Sequence, residues 1–325
     1  MARGREGAAG GGPREGAGRE AAHREGAGRE WAGLTAGENG GVLDDVIPYL
    51  ACPHCGAGLA RAGGALRCRA GHSFDIARQG YVSLLPPGSQ GAGGDTAAMV
   101  RARADFLAAG HHAGLAAELS RAASAAAPGP GCVADVGAGT GYYLAAVLDR
   151  RPGRAGLALD SSKFALRHAA RAHPRIGAVG CDAWRPLPVA DAAAALVLNV
   201  FAPRHGAELH RILSPSGTLL VVTPAPEHLG ELVGPLGLLT VDQRKQERLA
   251  GKLGPYFALA EQREHRETLA LSHQAVAELV AMGPSSWHAD ADALADRIAR
   301  LPDPVPVTLA VTLSAYRRRP APATP

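Results

Sequence analysis

Cysteine is scarce in this 325-residue chain, five residues in all, yet three of them stand with a histidine as Cys52-x2-Cys55-x12-Cys68-x3-His72. Two short knuckles, each offering a pair of soft or borderline ligands, match the tetrahedral shell of a structural zinc ion. Thiolate and imidazole select zinc over hard cations such as magnesium or calcium. A chain carrying this spacing is expected to build a small metal-stapled module, which leaves the chemistry to the longer stretch that follows. The other cysteines, Cys132 and Cys181, complete an odd count without a paired framework, which argues against a secreted, disulfide-built protein.

The length fits about two domains. No stretch reaches the roughly 18 apolar residues of a membrane span, and the N-terminus lacks a signal peptide's apolar run, so a cytoplasmic protein with no membrane partner is expected. The net charge of +4 is compatible with nucleic acid. Of the 34 basic residues only Lys163, Lys245 and Lys252 are lysines, a bias that makes arginine abundance weak evidence for phosphate binding. Residues 1–41 are mostly Gly, Ala, Arg and Glu, with REGAGRE at 14–20 and again at 24–30. This segment has no apolar periodicity to offset its ordering entropy, and a disordered extension is expected.

Residues 42–85 are read as the zinc module, with Gly63-Gly64 as a hairpin turn and 65–68 as the returning strand. Residues 86–127 are read as a Pro/Gly/Ser linker followed by two helices, the first capped by Asp95 or Thr96 and the second following His112. From Cys132 apolar strands alternate with helices: strands at 132–136, 155–160, 176–181, 193–199 and 218–223, helices between them, a helix near 290–300 and a last strand at 305–315. This alternation predicts a parallel sheet covered on both faces, spanning 128–317, with 318–325 as a tail.

Asp135-Val-Gly137-Ala-Gly139-Thr-Gly141 falls at a strand-to-helix junction, where glycines let the backbone turn tightly and approach a ligand. The third glycine comes two residues after the second, unlike the G-x-G-x-x-G of dinucleotide folds. The second strand ends in Asp160, placed to accept ribose hydroxyls, and the third in Cys181-Asp182, placed to meet an adenine amino group. Glycine loop and acids together resemble the class I methyltransferases, a Rossmann-like α/β fold that binds S-adenosylmethionine across the ends of its strands. Each acid alone would read as a helix N-cap. Asn199-Val-Phe201-Ala-Pro203 follows the fourth strand. There Asn199 is expected to orient an amide or amine edge of the substrate, and Phe201 to stack on a base.

More of the chain carries a closer resemblance. CRAGHSFDIARQGYVSLL at 68–85, DTAAMVRARADFLAAGHH at 95–112, VADVGAGTGYY at 133–143, NVFAPR at 199–204, TPAPEHLGEL at 223–232 and AMGPSSWH at 281–288 are similar to the large-subunit rRNA guanine-N1 methyltransferases of the RlmA family. They look most like the actinobacterial tylosin- and mycinamicin-resistance branch. The resemblance covers about 42–317. It implies a small N-terminal zinc-binding domain, a class I methyltransferase domain, a 23S rRNA hairpin substrate whose guanine lines the peptide exit tunnel, macrolide resistance and a homodimer. It implies zinc on Cys52, Cys55, Cys68 and His72. It places Gly139 and Thr140 in the methionine-end cofactor loop, counts Asp135 and Gly137 among the cofactor-binding residues, and brings His112 and His228 against the cofactor. The housekeeping branch typically has tyrosine where His112 stands.

N1 of guanine carries a proton that must leave, and the sulfonium methyl is already electrophilic, so alignment is the protein's main task. Asn199 and the backbone around Ala202-Pro203 are expected to position the base, with water taking the proton. Arg61, Arg67, Arg69 and Arg78 make the zinc module basic and are expected on phosphates; Trp287 is a candidate stacking partner. Aromatic content is 4%, so recognition should rest on RNA shape and phosphate. A small-molecule methyltransferase of secondary metabolism would keep the glycine loop but need no zinc knuckle. A non-catalytic RNA-binding factor would have no use for the cofactor acids.

Overall fold

The structure, a computed structural model, describes residues 42–86, 94–126, 129–238, 251–283 and 291–320. Parallel strands with apolar side chains on both faces must be covered on both sides, and that is the arrangement observed. Among the described residues the main sheet has eight strands: β4 (Tyr81–Ser83), β5 (Cys132–Val136), β6 (Gly156–Asp160), β7 (Ile176–Gly180), β8 (Ala194–Val200), β9 (Leu213–Pro224), β10 (Phe257–Leu271) and β11 (Val305–Arg318). Their order is β10-β11-β9-β8-β5-β6-β7-β4. Pairing is parallel from β4 through β9, whereas β11 runs antiparallel to β9 and β10. Every residue of β5, β7 and β8 is buried, as their apolar runs require.

Polar residues set where the helices begin. Thr96 caps α1 (Ala97–Ala108) by accepting from Met99 N at 3.2 Å, and Ser162 caps α4 (Lys163–Ala172) by accepting from Ala165 N. Between them lie α2 (Ala113–Ala125) and α3 (Tyr142–Asp149). Further along come α5 (Gly206–Ile212), α6 (Gly230–Leu236), α7 (His273–Ala281) and α8 (Ala291–Ala299). The chain leaves β5 toward β6 on one side, and β8 flanks β5 on the other. The topological switch therefore falls between β5 and β8, and the crevice at their carboxyl ends is where this architecture receives a ligand.

A separate three-stranded antiparallel sheet holds β1 (Leu59–Ala62), β2 (Ala65–Cys68) and β3 (Ser73–Asp75), with Gly63-Gly64 as the expected turn. Residues 42–85 are not confined to it. Tyr81–Ser83 leaves the small sheet to pair with Ala178–Gly180, and Leu43, Val46, Ile47 and Leu50 are buried with Leu157, Leu159 and Val179 of the main sheet. Val46 sits where a Cβ on Gly177 would lie 2.2 Å from its Cγ2, so that glycine makes room for the segment. The physical reason is that this apolar segment finds its burial on the larger sheet. β10 was not expected from the sequence at all: most of its side chains are exposed, charged residues interrupt its middle, and it is held by its long register with β11. The expected extension 1–41, the Pro/Gly/Ser stretch at 87–93, and Trp287 lie outside the described residues. No described helix is long and apolar enough to cross a membrane.

Candidate functional site

Cys52, Cys55, Cys68 and His72 bring one ligand atom each to within 4.8 Å of one another. Cys55 Sγ and Cys68 Sγ are 3.7 Å apart, Cys68 Sγ and His72 Nδ1 3.3 Å, and Cys52 Sγ and His72 Nδ1 3.5 Å. A tetrahedral ion with bonds of about 2.0–2.3 Å has edges of roughly 3.5–3.8 Å, so the set fits zinc. Both knuckles close on a glycine at positive φ: Gly56 N donates to Cys52 O, four residues back, and Gly71 N to Cys68 O, three residues back. Burial alone would raise the Cys68 thiol, but amide donors from His72 and Ala70 and the His72 ring outweigh it and bring it down to about 6, which favours the thiolate a metal needs.

The glycine loop lies at the end of β5, with Gly137, Gly139 and Gly141 all at positive φ. A Cβ on Gly137 would lie 2.4 Å from Ala202 Cβ, so the loops after β5 and β8 touch. Asp160 Oδ2 accepts from Gly139 N and Oδ1 from Ser162 N, both at 2.8 Å, which fixes the carboxylate at the end of β6 with lone pairs to spare. Burial pushes its pKa up. Asp135 is 1% exposed, and its Oδ1 has no hydrogen-bond partner. Burial, with the Asp160 charge nearby, pushes it up to about 8. Thr140 is buried beside it in the loop. Asp182 follows β7, accepting from Trp184 N at 2.9 Å, with Arg185 Nε 3.5 Å from its other oxygen.

Side chains from distant parts of the chain meet beyond the end of β8. His112, the N-cap residue of α2, is buried, with Nδ1 2.6 Å from the Tyr143 hydroxyl and Nε2 without a partner. Burial and the neighbouring histidines lower its pKa to about 3, and burial lowers that of His228 to about 4. Phe201 lies between them, its ring stacked on His228 at 5.9 Å and tilted to His112 at 6.5 Å. It is 42% exposed and has a left-handed backbone, φ +53°, unusual for an aromatic residue. The unpaired atoms of Asp135 and His112 beside a glycine cradle fit a ligand with an amino-acid end, and the Asp160 carboxylate fits a ribose. The donor set therefore matches S-adenosylmethionine.

Asn199 is not presented to the cleft as expected. It is fully buried, its amide donating to Val136 O at 3.2 Å and Pro203 O at 2.9 Å, while its oxygen accepts from Arg204 Nε at 2.9 Å. Both ends of the amide are committed, so any positioning by Asn199 acts through the turn that carries Phe201. Arg204 and Tyr143 escaped sequence reading because a lone Arg or Tyr gives no signal until its partner is known. So did Arg103, whose Nη2 donates to Met282 O 179 positions away and whose Nη1 pairs with Asp95, beside Gly139.

Arg61, Arg67, Arg69 and Arg78 are all exposed. They do not share one face: Arg61 lies opposite Leu66 and Arg67 opposite Ala60 in the β1–β2 ladder, so the two point to opposite sides. Arg61 is ion-paired with Asp44, whereas Arg67 touches only Ser73 Oγ in this set, at 3.3 Å.

A family model described as RlmA, N-terminal, matches residues 50–90. The chain is 53% identical to a Micromonospora griseorubida protein named as a 23S rRNA (guanine-N1)-methyltransferase, over 84% of this chain and 98% of that one. It is 52% identical to the 23S rRNA (guanine(748)-N1)-methyltransferase of Streptomyces fradiae, over 85% of this chain and 99% of the relative. It is 29% identical to the similarly named YxjB of Bacillus subtilis, over 74% and 88% of the two lengths.

Proposed function

The chain belongs to the 23S rRNA (guanine-N1)-methyltransferases of the RlmA family, and from that membership we propose that it transfers the methyl group of S-adenosylmethionine to N1 of a guanine in a 23S rRNA hairpin. The observation that carries the reading is a match of more than half the residues across nearly the whole length of two relatives with that named activity. The small-molecule alternative is not favoured: it leaves the Cys3His cluster without a purpose. We further propose that the guanine lines the peptide exit tunnel, that its methylation confers resistance to tylosin-type macrolides, and that the enzyme acts as a cytoplasmic homodimer. In this reading residues 42–85 recognise the RNA and 128–317 bind the cofactor.

The bound cofactor supplies a methyl group already activated by its positive sulfur. The protein holds the parts. In this reading Asp160, fixed by the Gly139 and Ser162 amides, takes the ribose, Asp182 the adenine, and Asp135 and His112, each with an unpartnered atom, the amino-acid end. Neutral imidazoles suit the neighbourhood of a sulfonium, since a protonated His112 or His228 would repel it, and both are held neutral at pH 7. The same low basicity makes them poor stores for the guanine proton, so water takes it. Asn199 and Arg204 lock the Val200–Pro203 turn, and Phe201 offers the ring on which the base is aligned.

The decisive experiment is transfer of labelled methyl to 23S rRNA lacking the modification, with the base mapped by a primer-extension stop. A stop at a hairpin guanine, together with raised macrolide tolerance in a sensitive host expressing the protein, is the expected result. Label in small molecules alone would return the alternative.

A further inference from the structure

Among the described residues, three large hydrophobic side chains stand out as exposed: Leu259, Phe201 at 42% and Trp184 at 55%. Both aromatic ones lie beyond the carboxyl ends of parallel strands, Trp184 after β7 and Phe201 directly after β8. Trp184 is held by its main chain, which donates to Asp182 Oδ1. One cation attends it: Lys252 Nζ lies 5.8 Å from the ring centroid. The neighbouring Arg185 is paired with Asp182, its Nε 3.5 Å from Oδ2. Lys252 also abuts the start of α5, its carbonyl 2.5 Å from where a Gly206 Cβ would lie, which puts it on the β8 side of the crevice. The indole thus stands after the end of β7, beside the lysine that abuts the start of α5.

An exposed indole loses the hydrophobic stabilisation of burial, and this chain has few aromatics to spare. A ring beside a cation is what an unpaired nucleotide requires: a face for the base and charge for its phosphate. We infer that Trp184, with Lys252, is a stacking platform for a second unpaired base of the RNA substrate, distinct from the guanine presented to Phe201. The inference rests on the rRNA substrate proposed above and adds a specificity-determining residue to it.

The test compares full-length Trp184→Ala, Trp184→Phe and Lys252→Ala with the unaltered protein. KM is measured for an unmodified 23S rRNA hairpin, S-adenosylmethionine affinity by calorimetry, and mass by light scattering. Stacking of one base corresponds to roughly 1–3 kcal/mol, so Trp184→Ala should raise the RNA KM about 5- to 150-fold while cofactor affinity stays within about twofold. Trp184→Phe should recover most of the loss. Lys252→Ala should flatten the salt dependence by roughly 0.7 in log–log slope. An unchanged RNA KM overturns the inference. So does an equal loss of cofactor affinity, which would make the ring a cap on adenine, or a change of mass, which would make it a contact between copies. If the unaltered protein methylates no rRNA, the activity assignment fails instead. Fluorescence anisotropy with the same hairpin then decides for Trp184: weakened binding by the Ala variant sustains the platform, and equal binding refutes it.

Discussion

Asp135 shows how burial, with the Asp160 charge nearby, sets a pH dependence. Its carboxyl is held near 8, far above an ordinary aspartate, so at pH 7 it is mostly protonated in the ligand-free protein. A cationic ligand favours the ionised form. Binding S-adenosylmethionine should therefore expel close to one proton at pH 7, and affinity should rise with pH until about 8. Calorimetry in buffers of different ionisation enthalpy measures this directly; identical apparent enthalpies would show that Asp135 is not at the ligand. For stability the sign follows from the raised folded value. The contribution is full below the unfolded pKa near 4 and is lost as pH rises toward 8. Asp135→Asn should thus be more stable than the parent at pH 8, and the gain should vanish toward pH 4. Asn199 makes a second case. Asn199→Asp keeps an acceptor for Arg204 but removes both donors to Val136 and Pro203. We expect about 1–3 kcal/mol of destabilisation and at least a tenfold fall in kcat with cofactor still bound. A fall in Tm with kcat intact would make the residue purely structural.

The zinc knuckle and the segment before it behave as one element of the core. Cys52, Leu50 and Leu66 are buried in the same cluster as Val179, Leu187 and Val189. Removing the metal by chelation, or Cys68 by a Cys68→Ser change, should lose the bound zinc, measured by elemental analysis, and lower Tm by roughly 2–10 °C. Unchanged Tm would mean that the knuckle folds on its own ligands' packing. Gly177→Ala tests the other side, since the new methyl meets Val46 at 2.2 Å and should cost about 1–3 kcal/mol by overpacking. Elements of this kind also mark how far the sequence could be read. Strands β5 to β9 were legible because parallel strands buried on both faces are continuous apolar runs, and the metal ligands because their spacing is local. β4 was not, being three residues long with a partner about a hundred positions away. β10 was not, because an exposed edge strand such as FALAEQREHRETLAL carries charges where burial would have left apolar residues. The glycine loop and the acids of the site were visible as motifs. The inward commitment of Asn199 was not, because it depends on where Arg204 and Val136 meet it.

At the scale of the whole molecule, deletion of residues 42–85 would be a poor test of RNA recognition. It removes β4 from the sheet edge and strips Val46 and Leu50 from the main core, so lost activity would report lost folding. Charge removal keeps the fold. Arg67, Arg69 and Arg78 are exposed, and Arg67 donates to Ser73 Oγ at 3.3 Å, whereas Arg61 is tied to Asp44 and belongs outside the set. Replacing the three by glutamine should leave Tm and cofactor affinity nearly unchanged. If they neutralise phosphates, the RNA KM should rise at least tenfold and the log–log salt slope should fall by roughly two. Full effect from the triple change would assign RNA contact to the knuckle's exposed arginines. An unchanged slope would leave the knuckle as scaffold, and the RNA contacts would then have to come from the crevice rim, where Trp184 and Phe201 stand.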